Sequence, residues 1–358
     1  MIRIDEIYYN TFVTKLQGQN VGLHWFEPFG TTDISNLCNI PALDKAEKRL
    51  FFWDQEPIHL DRFKLLFDQY TPVYANKWNG PTTLITSEKD SENVAWACDT
   101  YNLKSAYYFF HGWAALDWFR GYHRTFLMPE PSDRRITQTF VMPNRIIAGQ
   151  RQHRLAMLYH IFKHGMSDNH ISCPAVCPAE NISVDDAIKD LINTYPDIKE
   201  VFNKESFPRE FKGETGAPMH SHQLSLFAES AESLLYLVTE TVATGQRLHL
   251  TEKTFKPICL RMPFMIVGTA GSLEYLRSYG FQTFGHLWDE TYDLEINDHA
   301  RYEKIAQVLK DIDELPRQCK QKLFIQAQAV CEYNYRHFYS GGFESVLWQE
   351  LTEMLNGL

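Results

Sequence analysis

The chain has 358 residues, enough for two domains of ordinary size, and its 44% hydrophobic and 14% aromatic content supplies material for real cores. A formal net charge of −10 argues against a protein that coats nucleic acid. No apolar stretch approaches the roughly 20 residues needed to span a bilayer, and MIRIDEIYYN at the start lacks the apolar centre of a signal peptide, so no membrane span and a cytoplasmic location are expected.

In chain order, KRLFFW (48–53) reads as a strand followed by the helix HLDRFKLLFDQY, TTLITS (82–87) as a strand before SENVAWACDTY, and SAYYFFHG (105–112) as a strand before WAALDWFRGY. This alternation predicts a parallel sheet with crossover helices. MPEPSD (128–133) gathers two prolines with Ser and Asp and reads as a linker. The rhythm restarts with the strand TQTFVMPN (137–144) and the helix RLAMLYHIFKHG (154–165), closed by Gly165. VDDAIKDLINTYPDIKEVF (184–202) reads as a peripheral helix. LSLFAES and SLLYLVTET then lead to HLTEKTFKPI, the strand PFMIVG, the turn TAGS, the helix SLEYLRSYG and a short strand FQTFG. The chain closes on an amphipathic helix, GGFESVLWQELTEML. The expected domains are 1–133 and 134–335, followed by a C-terminal helix within 336–358 that packs back on the first.

The seven cysteines are odd in number, and CPAVC (173–177) has neither the CxxC spacing of a redox pair nor a second pair to complete a zinc site, so reduced structural thiols are expected. Charge is unevenly spread: residues 101–165 hold nine Lys/Arg against three acids. A local basic zone on an acidic chain suggests a focused anion site; a solvated helix face is the plainer alternative.

The stretch TEKTFKPI concentrates the question. Thr251 as a helix cap and Glu252 in the first turn have a sufficient structural reason. Lys253 and Lys256 do not, if both sit where the helix dipole is already positive, and Pro257 should end the helix early. A bound diphosphate would offset two such cations.

LYLVTET, LHLTEKTFKPI and MPFMIVG together resemble the donor-binding region of GT-B glycosyltransferases, particularly the fucosyltransferase and exostosin-like groups. The stretch from TEKTFKPI to GFQTF is also similar to glycosyltransferase-like proteins of tailed bacteriophages. The resemblance covers roughly residues 137–290, with TEK its most specific part. It implies an α/β fold of GT-B type, two Rossmann-like domains facing across a cleft, and a hexosyl- or pentosyltransferase using a nucleotide-sugar as co-substrate without a cofactor. It places Glu252 on the donor's ribose, Lys253 on its diphosphate and Glu240 near its sugar, with Arg145, Arg151 or Arg154 as the arginine that pairs with the diphosphate. Lys256 extends the pattern beyond the family motif. A phage-encoded enzyme would work in the host cytoplasm.

The chemistry asks for these residue types. As the glycosyl bond breaks, the leaving diphosphate gains negative charge, which Lys, Arg and helix amides stabilise, so no metal is expected. The DID at 311–313 reads as a solvated helix face. An inverting enzyme also needs a base within reach of the acceptor hydroxyl. Asp54 and Glu56 in FFWDQEP come first, then His24 and Glu27 in GLHWFEPFG, with Glu88 and His111 also at strand ends. A retaining enzyme would instead use Glu240. For the acceptor, the phage-like resemblance implies a 5-hydroxymethylated pyrimidine in DNA, flipped out of the duplex. A narrow basic surface from Arg120, Arg124, Arg134 and Arg135 would serve it, and aromatics such as Trp25, Phe26, Phe29, Trp53, Trp113 and Trp118 could stack on a base or sugar. A cell-surface glycan or lipopolysaccharide is the competing acceptor, and a non-catalytic nucleotide- or glycan-binding module is the competing class.

Overall fold

Apolar runs flanked by turn-forming residues become the strands of two largely parallel sheets, each flanked by helices, the α/β class expected from the sequence. The computed structural model describes residues 21–26, 38–40, 48–53, 56–73, 82–124, 128–211 and 222–358. Two compact units divide the chain: Met1–Asp117 with Gln246–His249 and Glu344–Leu358, and Trp118–Gly245 with Leu250–Phe343. The segment 128–133 runs inside the second unit as a short 3-10 turn, Pro131–Asp133.

The first unit carries β1 (Val21–Phe26), β2 (Cys38–Ile40), β3 (Lys48–Trp53), β4 (Thr82–Thr86) and β5 (Lys104–Tyr107) in the order β2-β1-β3-β4-β5. Only β2 runs antiparallel, against β1. Its helices are α1 (Leu60–Val73), α2 (Glu92–Tyr101) and α3 (Phe110–Trp118). Phe51 and Trp53 of β3 pack on Phe63 and Phe67 of α1, whose rings stack with centroids 4.3 Å apart. SAYYFFHG is strand only as far as Tyr107; its second half opens α3, of which Phe110 to Leu116 are all buried. Trp113 meets Trp348 of the C-terminal helix edge-on at 4.8 Å. Trp53 and Trp113 are almost wholly buried core residues, unavailable for stacking on a base or sugar. Trp25, Phe26 and Phe29 lie outside the described side chains.

The second unit carries β6 (Gln138–Met142), β7 (His170–Ile171), β10 (Ser233–Thr239) and β11 (Phe264–Val267), all parallel, in the order β11-β10-β6-β7. A hairpin of β8 (Val176–Cys177) and β9 (Ile182–Ser183) stands apart. Every residue of β10 and β11 is buried, as befits parallel strands covered on both faces. The unit's longer helices are α4 (His153–Lys163), α5 (Glu252–Cys259), α6 (Ser272–Ser278), α7 (Asp298–Asp313) and α8 (Arg317–Tyr339), while the last helix of the chain, α9 (Gly342–Gly357), belongs from Glu344 onward to the first unit. α4 ends through Gly165 at φ +74°, the left-handed conformation expected of its closing glycine.

Three expectations are corrected here. Residues 184–202 form no single helix: two short turns, Val184–Ala187 and Ile198–Phe202, and a 3-10 turn, Ile188–Leu191, are separated around Pro196. FQTFG joins no sheet, because the side-chain amide of Asn334 both accepts from the Gln282 N–H (2.8 Å) and donates to its carbonyl (2.9 Å). In DID, Asp311 is exposed but Asp313 turns inward to accept from Thr139, Asn169 (3.2 Å) and Lys320 (3.3 Å), tying β6 to α7 and α8.

Candidate functional site

In an open α/β sheet, ligands bind outside the carboxyl ends of the strands, where neighbouring strands send their connections to opposite sides. In the second unit that point lies between β6, which leads outward to β7, and β10, which leads outward to β11. The loops there are 143–152 after β6 and 240–251 after β10. Thr239 Oγ1 joins them by donating to Asn144 Oδ1 at 2.9 Å.

α5 rises from the second loop, anchored by Phe255, whose ring stacks on Phe343 at 5.1 Å and meets Phe281 edge-on at 5.7 Å. Thr251 caps it as expected, its hydroxyl accepting from Lys253 N. Glu240, fully buried, reaches the same helix end. One carboxylate oxygen accepts from Thr251 N (3.0 Å) and Thr254 Oγ1 (2.6 Å), the other from Thr251 Oγ1 (2.5 Å) and Thr241 N (3.1 Å). At the opposite end, buried Arg134 donates to the carbonyls of Leu260 (2.9 Å) and Arg261 (3.3 Å). A carboxylate at the positive end and a guanidinium at the negative end complement the dipole of a helix that continues two residues past Pro257.

This corrects the electrostatic expectation for TEK in two ways. Lys256 lies in the last turn of α5, where a cation is favoured, and is buried. The anion at the helix start is internal, Glu240, so the helix end does not itself call for a diphosphate. Lys253 does stand at the positive end; its ammonium folds back to Glu252 Oε1 (2.9 Å), Thr241 Oγ1 (3.2 Å) and Thr251 Oγ1 (3.3 Å), leaving the side chain 30% exposed.

The three arginines separate. Arg154, in the first turn of α4, is buried and donates to the carbonyls of Ile146 (2.8 Å) and Thr239 (3.1 Å), binding the β6 and β10 loops together. Burial, aided by Arg151, lowers its pKa to about 10, against the pull of Glu240 and Glu252. Its neighbour His153 bonds the Glu240 carbonyl (3.0 Å), and burial, with Arg154 and Arg151 close by, holds its pKa well below the ordinary value. Arg151 is half-buried at the end of a 3-10 turn opened by Gly149 at φ +57°, where a side chain would meet Glu180 Oε1 at 3.1 Å. Arg145 is exposed, with no hydrogen bond or ion pair among the described residues. The structure therefore brings Glu240, Thr251, Glu252, Lys253 and Arg154 together, with Arg151 and Arg145 on the adjoining loop.

Arg301 carries no local sequence signal of its role. Almost fully buried on α7, it donates to Gly268 O (2.9 Å), Glu295 O (2.7 Å) and Ala243 O (2.8 Å), fixing the ends of β10 and β11. Asn144, Thr241 and Thr254 were also missed; each is a short polar residue at a strand or helix end, and only TEKT, with a hydroxyl three residues after the cap, offered a signal.

In the first unit, Glu27 and Asp54 lie outside the described residues, and His24 occupies β1 opposite Phe51 of β3. Glu56 is half-buried on the bend after β3. Glu88 is spent internally: buried, it accepts from Ile58 N (3.2 Å) and Ser91 Oγ (2.6 Å) and pairs with Arg247 (3.4 Å). Burial raises its pKa despite Arg247. His111, also buried, meets His249 edge-on at 5.2 Å, and His249 Nδ1 lies 3.1 Å from Ser87 O. The narrow basic surface loses Arg134 to the interior.

Among the described residues no three His, Cys, Asp or Glu side chains come together as a metal-ligand set, six cysteines are free thiols, and no helix is long and apolar enough to cross a membrane. No protein-family model matches the chain, and no curated protein matches it. Among solved structures, the DNA-modifying enzyme β-glucosyltransferase, determined with and without uridine diphosphoglucose, matches at 10% identity over 84% of this chain and 74% of its own, with a TM-score of 0.36. The T4 phage enzyme BGT in complex with UDP-glucose matches at 9% identity over 86% and 78%, with a TM-score of 0.39. Neither is described as a fucosyltransferase or exostosin-like protein, and a likeness this broad assigns no residue a role.

Proposed function

We propose that the chain is a glycosyltransferase that takes a sugar from a nucleotide-sugar, with the donor's diphosphate held by Arg145 and Lys253. The observation that carries this reading is their position: Arg145 on the loop after β6 and Lys253 in the first turn of α5, which follows the loop after β10, where the sheet's connections diverge, both accessible and the first without a hydrogen bond or ion pair among the described residues. The internal charges of Glu240 and Arg154 are already matched by helix and loop backbone, so the two outer cations are the ones left for a ligand. Both would act on the leaving diphosphate as its charge develops. Glu252, beside Lys253, takes the ribose hydroxyls, and Glu56 remains the described candidate for the base.

The acceptor we assign is a 5-hydroxymethylated pyrimidine in DNA. A glycan acceptor is the second reading, favoured by the net charge of −10 and by the removal of Arg134 from the surface. Donor turnover tests the core of the proposal. With UDP-glucose and other nucleotide-sugars supplied in turn, Lys253→Ala should slow nucleoside diphosphate release by about a hundredfold, the scale of one lost transition-state contact. Arg145→Ala should weaken donor binding while leaving stability within about 0.5 kcal/mol, as for an exposed residue. Full activity in both variants would remove the diphosphate site, and ligand-induced stabilisation without any release would mark a binding module. Nucleoside mass spectrometry on hydroxymethylated and unmodified DNA, run beside glycan acceptors, separates the two acceptors.

A further inference from the structure

The loop that follows β10 does not stay in the second unit. Its middle, Gln246–His249, belongs to the first unit, while Glu240 and Thr241 before it and Thr251 to Lys253 after it belong to the second. In the first unit this segment is paired like a short strand: Lys89 N donates to Leu248 O (2.9 Å), Leu248 N to Lys89 O (2.8 Å), and Glu92 N to Gln246 O (3.0 Å). Arg247 sits at the centre of the pairing. Its guanidinium reaches both Glu88 Oε1 and Ile58 O, each at 3.4 Å.

Ile58 is thereby held by both of its backbone groups. Its N–H donates to Glu88 Oε1 (3.2 Å), and its carbonyl receives Asn93 Nδ2 (2.8 Å) as well as Arg247. It lies two residues beyond Glu56 on the loop after β3. The Glu88–Arg247 pair thus joins three segments: the loop that bears the candidate base, the loop after β4, and the middle of the donor-side loop. The pair is buried, with side-chain exposures of 1% for Glu88 and 11% for Arg247, so the joint is poorly screened by solvent and salt. Buried and engaged by Ile58, Ser91 and Arg247, Glu88 is withdrawn from solvent and serves as a mechanical part rather than as a base.

We propose that Glu88 and Arg247 are positioning residues that transmit the ordering of the donor-side loop to the loop carrying Glu56, so that the acceptor-side base is set in place when the donor's diphosphate is bound. The proposal rests on the reading of Lys253 and Arg145 as the diphosphate site. A ligand that restrains residues 240–253 from the second-unit side restrains Gln246–His249 by chain continuity, and Arg247 passes that restraint to Ile58. An empty donor site leaves the base loop held by the first unit alone.

Amide hydrogen exchange followed by peptide mass spectrometry on the full chain reads this directly, with UDP, GDP, ADP and CDP each added alone. In the wild type, the nucleotide that protects peptides covering 250–256 should also slow exchange in peptides covering 56–60 and 87–92, by about threefold or more. In Arg247→Ala the protection at 250–256 should persist and that at 56–60 should vanish. Because Arg247→Ala leaves Glu88 buried without its cation and is exposed to misfolding, Glu88→Gln with Arg247→Met serves as the second variant: it retires both charges and keeps an oxygen for the Ile58 N–H. A merely structural role for the pair would alter exchange at 56–60 equally with and without nucleotide, and that result overturns the proposal. Protection at 250–256 with none at 56–60 in the wild type overturns it too, while sparing the donor site. Protection nowhere with any nucleotide overturns both.

Discussion

Replacing Glu240 by glutamine separates an internal helix anchor from a residue that contacts the donor. The carboxylate receives four donors, two backbone N–H groups and two hydroxyls, within 2.5–3.1 Å. A glutamine has one acceptor oxygen and turns an NH2 group toward the other pair. The hydroxyl of that pair can rotate to accept, but the backbone N–H of Thr241 or Thr251 cannot, and an unsatisfied buried N–H costs about 1–3 kcal/mol. Loss of the negative charge at the start of α5 adds about 0.3–2 kcal/mol, and Arg154 loses a stabilising neighbour. The expected destabilisation is therefore about 3 kcal/mol. Thr254→Val, which removes the 2.6 Å bond to the same carboxylate, should cost about 1.5–3 kcal/mol alone. Since both act on one bond, the double variant should fall short of the sum by about 1 kcal/mol. Urea denaturation followed by circular dichroism measures all three. Additivity within about 0.3 kcal/mol, or a Glu240→Gln variant as stable as the wild type with only donor affinity lost, would refute the anchor and return Glu240 to the donor's sugar.

Two further outcomes follow from buried groups of the second unit. Burial holds the His160 pKa at about 4, below its ordinary 6.5, so its neutral form stabilises the fold fully above pH 6.5 and that contribution is lost as pH falls through about 4. His160→Leu should flatten the acid side of the stability profile by up to about 1.4 kcal/mol per pH unit, leaving the slopes due to His153 and His164; identical slopes in urea melts between pH 6.5 and 4 would exclude the effect. Arg301→Met strands the Gly268 and Glu295 carbonyls and Asp298, Ala243 O keeping only the Tyr302 hydroxyl, at a cost of about 3–5 kcal/mol, and Arg301→Lys should recover little because an ammonium lacks the planar fork; a lysine variant that melts with the wild type would show the fork to be dispensable.

What the sequence made legible was local. Apolar runs such as SLLYLVT and FMIV announce buried parallel strands, and Thr251 before Glu252 announces a cap, because strand burial and capping are decided within a few residues. SAYYFFHG misled because α3 is buried on nearly all sides, and a helix without a polar face has no period to distinguish it from a strand. Glu240 was found as a residue but not as a part: an acid at a strand end looks the same whether it faces a ligand or the next helix, and the choice depends on a loop that returns eleven residues later. Lys256 was assigned to the wrong end of α5 because a Pro one residue on suggested a helix shorter than the one that forms. Arg247 and Arg301 were invisible, since their partners lie 159 and 58 positions away.

The division of the chain also sets an order of assembly. The first unit needs Gln246–His249 and Glu344–Leu358 in addition to its N-terminal 117 residues, whereas the second is complete at Phe343. During synthesis, at roughly 5–20 residues per second, the earlier-made sheet therefore waits for its last pieces until after the later-made one has all of its own. Trp113 remains without Trp348 throughout that interval. No single cut liberates the first unit as a continuous polypeptide, so truncation at the 117/118 boundary yields a fragment with an uncovered aromatic face rather than a domain.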